Sequence, residues 1–348
     1  MSSSFIEING IKSFDFSFFE ECIFPKWVAR FKAGPAIGDY SFLPGDSKVD
    51  SYGTADMLIS LYAANELSDL TEKQKDEWAT IINRFQDPAT GKFTKTRTAH
   101  FWEHTTAYCT CALHLIDRKP AHPMQWKEDI IKDEKAMLAW TRQWRRAPWS
   151  IIWSGSHVWS GVPATLAMTG EGTDEFFAWF FDFFDAIADP ESGFWRRGWL
   201  HKMHVFPKPH PHDLFGAFHM YYVYEYMGKQ WKYPEKVVDW TLKFQLENGL
   251  WGNTPEPYCR DLDGIYALTR SSRNAGGYRH DDVKAAIIRF LTTAERVLND
   301  ESFVLEHYTN SHHLAGTLTT LAECQKFYPD LVITKKPLIE TLDKACYI

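Results

Sequence analysis

Residues Gln245 to Tyr266 read QLENGLWGNTPEPYCRDLDGIY. The stretch opens on the tail of an amphipathic pattern, with Val237, Val238, Trp240, Leu242 and Phe244 at helical spacing. Asn248-Gly249 is a helix C-terminal signal, and Trp251 follows at once. Pro255 and Pro257 forbid helix across the next residues. A second helical pattern starts near Asp261, with Asp261 and Asp263 in its first turn. The order is therefore outer helix, Gly-aromatic turn, rigid loop, and an inner helix that begins with acids.

The Gly-aromatic turn repeats along the chain. Gly38-Asp39-Tyr40, Gly91-Lys92-Phe93 and Gly193-Phe194-Trp195 precede Gly249-Leu250-Trp251. Their spacing defines a period of about 53 residues, with one turn skipped between Gly91 and Gly193. The skipped turn falls near Trp140 to Trp144, and a sixth falls near Asn299 to Phe303. Between turns the patterns are helical. Examples are Ala55 to Leu67, Thr71 to Phe85 (opening on a capping box, Thr71 to Gln74), His104 to Ile116, Asp174 to Ile187 and Asp281 to Leu298. Strand signals are sparse. The expected fold is all-α: an (α/α)6 toroid of six helical hairpins in a single domain over 1–348. The tail Lys335 to Ile348 carries a short helical pattern and is expected to pack across the end of the array. A large aromatic share and the absence of polar capping repeats favour closure over an open solenoid.

The composition narrows the function classes. Of the 348 residues, 16% are aromatic, and the net charge is −7 with acids and bases interspersed. That balance argues against nucleic-acid binding through a basic face. No apolar run reaches the roughly 20 residues that span a bilayer. The start, MSSSFIEINGIKSFDF, lacks the features of a signal peptide. The six cysteines are scattered without a CxxC, which fits reduced thiols and a cytoplasmic setting.

The Q-x-x-x-G-x-W pattern at Gln245 to Trp251 resembles the repeat of terpenoid cyclases and protein prenyltransferases. Phe93 stands for Trp in the second copy, and Gln86 lies one residue further from its glycine. The six-hairpin arrangement also resembles the toroids of glycoside hydrolases, polysaccharide lyases and sugar epimerases. The first likeness implies a protonated Asp in an Asp-x-Asp-Asp motif; Gly264 occupies the fourth position here. Prenyltransferases hold zinc through an Asp-x-Cys step, and this sequence has none.

In a closed double ring the N-termini of the inner helices surround one mouth. The six starts carry Asp50, Tyr52 and Asp56; His100, Glu103 and His104; Trp153, Ser156, His157 and Trp159; His210, His212 and Asp213, with His219 further in; Tyr258, Arg260, Asp261 and Asp263; and His307, Asn310, His312 and His313. Ordinary caps are Ser, Thr, Asp and Asn, and histidine is a poor one. Histidine at four of six starts therefore points to acid/base chemistry. The expected catalytic residues are Asp261, Asp263, Glu103, His104, His212 and Asp213. The expected substrate-binding residues are Tyr52, Trp153, His157, Trp159, Trp195, Arg197, Trp251, Tyr258, Arg260 and His312. Asp261 and Glu103 also suit plain helix-start roles. No histidine spacing matches HExxH or a zinc finger, so no metal or other cofactor is expected.

Aromatic faces serve sugar rings and carbocations alike. The polar company at the six starts favours a small-molecule sugar or an oligosaccharide, with arginines suited to an acidic one. The expected activity is hydrolysis, β-elimination or epimerisation. The alternatives are a terpenoid cyclase using a protonated Asp, and a glycan-binding ring without catalysis.

Overall fold

The computed structural model describes residues 6–8, 11–94, 101–143, 153–196, 203 and 207–348. Six long helices form the interior: α2 (Ser51–Ala63), α4 (Trp102–Leu115), α6 (Trp153–Thr169), α8 (Pro211–Tyr226), α10 (Cys259–Asn274) and α13 (Ser311–Phe327). Each packs on the next in sequence, and α13 packs back on α2, so neighbour relations close in a cycle. Helices α1 (Phe24–Ala29), α3 (Glu72–Asn83), α5 (Glu134–Gln143), α7 (Asp174–Ile187), α9 (Pro234–Phe244) and α11 (His280–Leu298) alternate with them along the chain. These are the amphipathic ones, with charged outer faces and an apolar stripe, whereas α2, α4, α8 and α13 are buried over most of their length. The class is all-helical. No helix among the described residues is long and apolar enough to cross a membrane.

Caps set where the buried helices begin. Asp50 accepts from the backbone N–H groups of Tyr52 and Gly53, and Asn310 from those of His312 and His313. Histidine also serves as a cap at α8, against expectation. His210 Nδ1 accepts from the His212 N–H at 3.3 Å, and the Asp213 carboxylate returns a bond to the His210 N–H.

The Gly-aromatic turn has a physical basis. Gly91, Gly193 and Gly249 all take positive φ. The Gln245 side-chain amide donates to the Gly249 carbonyl and to the Ala286 carbonyl on α11, tying one hairpin to the next. Gln86 does the same to Gly91 and His122, despite its extra residue of spacing. At Gly249 φ is +84°, and a Cβ there would sit 2.4 Å from the Arg289 carbonyl oxygen. Gly249→Ala is therefore expected to cost about 2–3 kcal/mol, read as a lower denaturant midpoint at unchanged slope.

The structure departs from expectation in three places. Near residue 302 the chain makes a short helix, α12 (Glu301–His307), capped by Asp300, instead of a Gly-aromatic turn. Short strands β1 (Ile6–Ile8), β2 (Ile11–Asp15) and β3 (Val332–Ile333) form a small sheet, which joins the start of the chain to the residues after α13. They are too short to leave a period-two signal. The segment from Lys335 to Ile348 forms no helix; it runs from exposed residues 335–337 at the helix ends to buried residues 345–348. Pro337 stands near its start; the N–H groups of Lys335 and Lys336 donate to the Glu20 carboxylate, the Pro337 carbonyl accepts from Asn65, and the Ile339 N–H donates to the Ala63 carbonyl. Trp144, at the skipped turn, lies outside the described residues.

Candidate acid/base site

Helix α10 begins after the loop that carries Trp251. The Asp261 carboxylate accepts from the Trp251 N–H at 2.7 Å and the Tyr258 N–H at 2.8 Å, clamping loop to helix. Burial pushes Asp261 up to about 7 against the pull of these N–H groups. The Trp251 indole N–H donates to the Thr241 carbonyl, and its ring lies against Gly264, where a Cβ would come within 2.4 Å. Asp261 and Trp251 thus hold the turn together. Gly264 faces Trp251, and Asp263 faces the interior.

Asp263 is 1% exposed, and neither carboxyl oxygen has a hydrogen-bond partner. Burial first, then the neighbouring Asp261 carboxylate, hold its pKa well above the ordinary carboxylate range. It lines a small cavity of about 30 Å³ together with His104, His157, His219, His312 and Trp153. Phe218, Tyr258, Cys259 and Ile348 complete much of the wall. Space for about one water is left.

The four imidazoles come from α4, α6, α8 and α13 and run in series. Ring centroids are 6.1 Å apart for His312–His104, 4.5 Å for His104–His157 and 4.6 Å for His157–His219. Three have Nδ1 engaged by a neighbour. His104 Nδ1 is 2.7 Å from the Tyr52 hydroxyl, His219 Nδ1 2.7 Å from Ser156 Oγ, and His312 Nδ1 2.8 Å from Asp56 Oδ1. Asp56 also accepts from Tyr108 at 2.6 Å and Ser311 at 2.5 Å. A carboxylate beside Nδ1 fixes the orientation of an imidazole. Each of the six buried helices thus supplies a polar group: Asp56 and Tyr52, His104, His157, His219, Asp263 and His312.

Arg260 stands at the edge of this set. Its guanidinium lies 4.6 Å from the Trp153 ring centroid and 5.8 Å from that of Phe215. Its Nε is buried without a hydrogen-bond partner. A stacked guanidinium with a spare donor suits a planar oxyanion.

The other expected residues are placed elsewhere. Glu103 is buried at the start of α4, its Oε2 has no partner, and burial pushes it up to about 7; it does not line the cavity. The carboxylate of Asp213 bonds the His210 N–H and Arg196 Nε, the same loop clamp that Asp261 makes. His212 is half-buried against Trp153, and burial, then His210 and Arg260, lower its pKa. Trp159 packs on Phe184. Trp195 donates to the Phe184 carbonyl and packs among Tyr221 and Tyr224. The structure therefore brings Tyr52, His104, Trp153, His157, Tyr258, Arg260, Asp263 and His312 together, and leaves Trp159, Trp195 and Trp251 in the packing between helices. His100 and Arg197 lie outside the described residues.

Among the described residues no group of three or more His, Cys, Asp or Glu side chains is arranged to hold a metal ion. A larger cleft of about 850 Å³ opens at the opposite end, around Tyr62, Gln325, Lys326 and residues 337–344. Its lysines are paired, Lys326 with Asp343 and Lys344 with Asp117, and its carboxyls Glu340 and Asp343 lie beside the Arg270 guanidinium. Comparison with known protein families, curated proteins and solved structures gives no match.

Proposed function

We propose that the chain is a single-domain (α/α)6 toroid enzyme that moves protons on a small, sugar-like, anionic substrate. The reaction is epimerisation or β-elimination of a uronic acid. The observation that carries this reading is Asp263, a buried carboxyl with no partner in a cavity that four imidazoles also line. Such a carboxyl is held neutral and can donate a proton, while a neighbouring imidazole can accept one. In this scheme an imidazole takes the proton alpha to the substrate carboxylate, and Arg260 neutralises the charge that builds on that carboxylate. Asp263 then protonates the leaving glycosidic oxygen in elimination, or the opposite face of the carbon in epimerisation.

Glycoside hydrolysis asks for two carboxyl groups across the bond. Asp263 is the one carboxyl among the described residues lining the cavity, which favours proton transfer at carbon. A terpenoid cyclase shares the protonated Asp but needs walls that do not quench a carbocation, and imidazoles are bases. Six free thiols support a reducing, cytoplasmic setting.

The test is incubation with a panel of uronic-acid glycosides in deuterated water. Solvent deuterium is expected at the carbon alpha to the carboxylate, or an unsaturated product is expected to appear. Release of free sugar without exchange, or turnover of an isoprenoid diphosphate instead, contradicts the reading. Arg260→Gln is expected to raise KM for the acidic substrate about 10–100-fold, more than it lowers kcat. An equal KM for the variant sets Arg260 outside the binding step.

A further inference from the structure

The segment 337–348 touches all six buried helices in turn. It starts at their C-terminal ends. Asn65, just past α2, donates to the Pro337 carbonyl, Gln325 of α13 accepts from the Leu338 N–H, and Ala63 of α2 accepts from the Ile339 N–H. Arg270 of α10 lies 3.6 Å from Glu340 and 3.1 Å from Asp343. Lys344 donates to the Leu115 carbonyl at the end of α4. Further in, Cys346 Sγ meets the Ala164 carbonyl, midway along α6. Tyr347 is fully buried, with its ring 5.5 Å from Tyr222 of α8 and 5.2 Å from His104. Ile348 lines the cavity beside Asp263. The contacts thus advance from the helix C-terminal ends to the imidazole set.

We infer that this segment is a strap that fills the lumen and supplies the floor of the candidate site, so that Tyr347 and Ile348 set how much of a substrate can enter. The inference rests on the toroid and acid/base reading for its substrate, and on the strap's own contacts for its placement. Beside His104 and Asp263 the space between the buried helices is closed by one aromatic and one aliphatic side chain. The site then admits one terminal unit, end-on from the mouth. The Arg270 anchor lies at the far end of the strap, so shortening Tyr347 and Ile348 leaves it in place.

Two measurements on the whole 348-residue chain separate the parts. In Tyr347→Ala the missing ring leaves a hole beside His104, and millimolar phenol is expected to raise the melting temperature of this variant but not of the parent. No phenol response in a folded Tyr347→Ala protein overturns the placement. If Tyr347→Ala does not fold, Tyr347→Leu with benzene as the probe reads the same hole. Tyr347→Ala/Ile348→Ala is then titrated with glucuronate and with a disaccharide of uronic acids. The parent is expected to prefer the monosaccharide, and the double variant to gain at least tenfold in affinity for the disaccharide. An unchanged preference overturns the specificity role. If neither sugar binds either protein, the substrate reading and the specificity role fail together, and the phenol result alone decides the placement.

Discussion

Replacing Asp263 by Asn is expected to lower turnover about 10²–10⁴-fold and to make the protein more stable at neutral pH. The two effects have one origin. The Asp263 carboxyl has been moved from water into a site where neither oxygen is bonded. Its folded-state pKa is therefore raised, by burial and then by Asp261. Between the unfolded and folded pKa values the native state holds a proton that the unfolded chain has lost. Stability consequently falls as pH rises through that window. An amide cannot ionise, so the variant loses this slope, gains stability on the alkaline side, and loses the proton that the proposed reaction uses. Glu103 and Asp261, both pushed up to about 7, contribute slopes of the same sign that survive the substitution. Thermal melts from about pH 3.5 to 8 check this: parent and variant converge near the unfolded Asp value of about 3.9 and separate as pH rises above it. A variant that is less stable at every pH means the carboxylate is stabilised by its surroundings. A stable variant that keeps full turnover removes Asp263 from the chemistry.

Arg270→Met carries the largest expected loss of stability, about 3–5 kcal/mol. Arg270 is 1% exposed and sits among Glu225, Glu323, Glu340 and Asp343. Its Nε and Nη2 donate to the two Glu323 oxygens at 2.8 and 2.7 Å, and Thr269 donates to Glu323 as well. Even with Arg270 present, burial first and then Glu323 push Glu340 up to about 8. Without the guanidinium the remaining carboxyls repel in a buried place and take up protons on folding. The loss is therefore expected to grow with rising pH and to shrink at acidic pH, which urea titrations at the two extremes measure. Because Glu340 and Asp343 begin the strap, the same variant is expected to expose residues 340–348 to amide hydrogen exchange. Unchanged protection there means the strap is held by its apolar contacts alone.

Much of the scaffold was legible in the sequence, because it rests on local signals. The repeat marks itself through Gly91, Gly193 and Gly249, whose positive φ no other residue replaces cheaply. The cap at Thr71 and the helix Asp174–Ile187 sit where the pattern places them. The level of the site was legible too, since Asp263, His104, His157 and His312 stand at helix starts that the period aligns. The division of labour was not. Asp261 and Asp213 occupy the third helical position, where a carboxylate can reach back to the loop N–H groups; Asp263, two residues later, cannot. Only the register of the helix against Trp251 decides which acid is structural. Tyr347 and Ile348 gave no signal at all, because their partners, His104, Tyr222 and Asp263, lie far away in sequence. Arg260 was visible as a charge, but its seat on Trp153 and Phe215 depends on three separate hairpins.

The site has a simple electrostatic logic. Two carboxylates on equivalent helix starts are tied to backbone N–H groups, and Asp56 is satisfied by Tyr108, Ser311 and His312. Asp263 is left with neither kind of support. A carboxyl so placed costs stability unless it keeps its proton, and that proton faces a series of imidazoles. The most direct test is infrared spectroscopy of protein carrying ¹³C-labelled aspartate, compared with the same label in Asp263→Asn. At neutral pH the parent is predicted to show a clearly stronger carbonyl band of protonated carboxylic acid than the variant, in which Asp261, pushed up to about 7, supplies what remains of it. A parent spectrum with carboxylate bands alone at that pH would contradict the assignment of Asp263 as the proton donor.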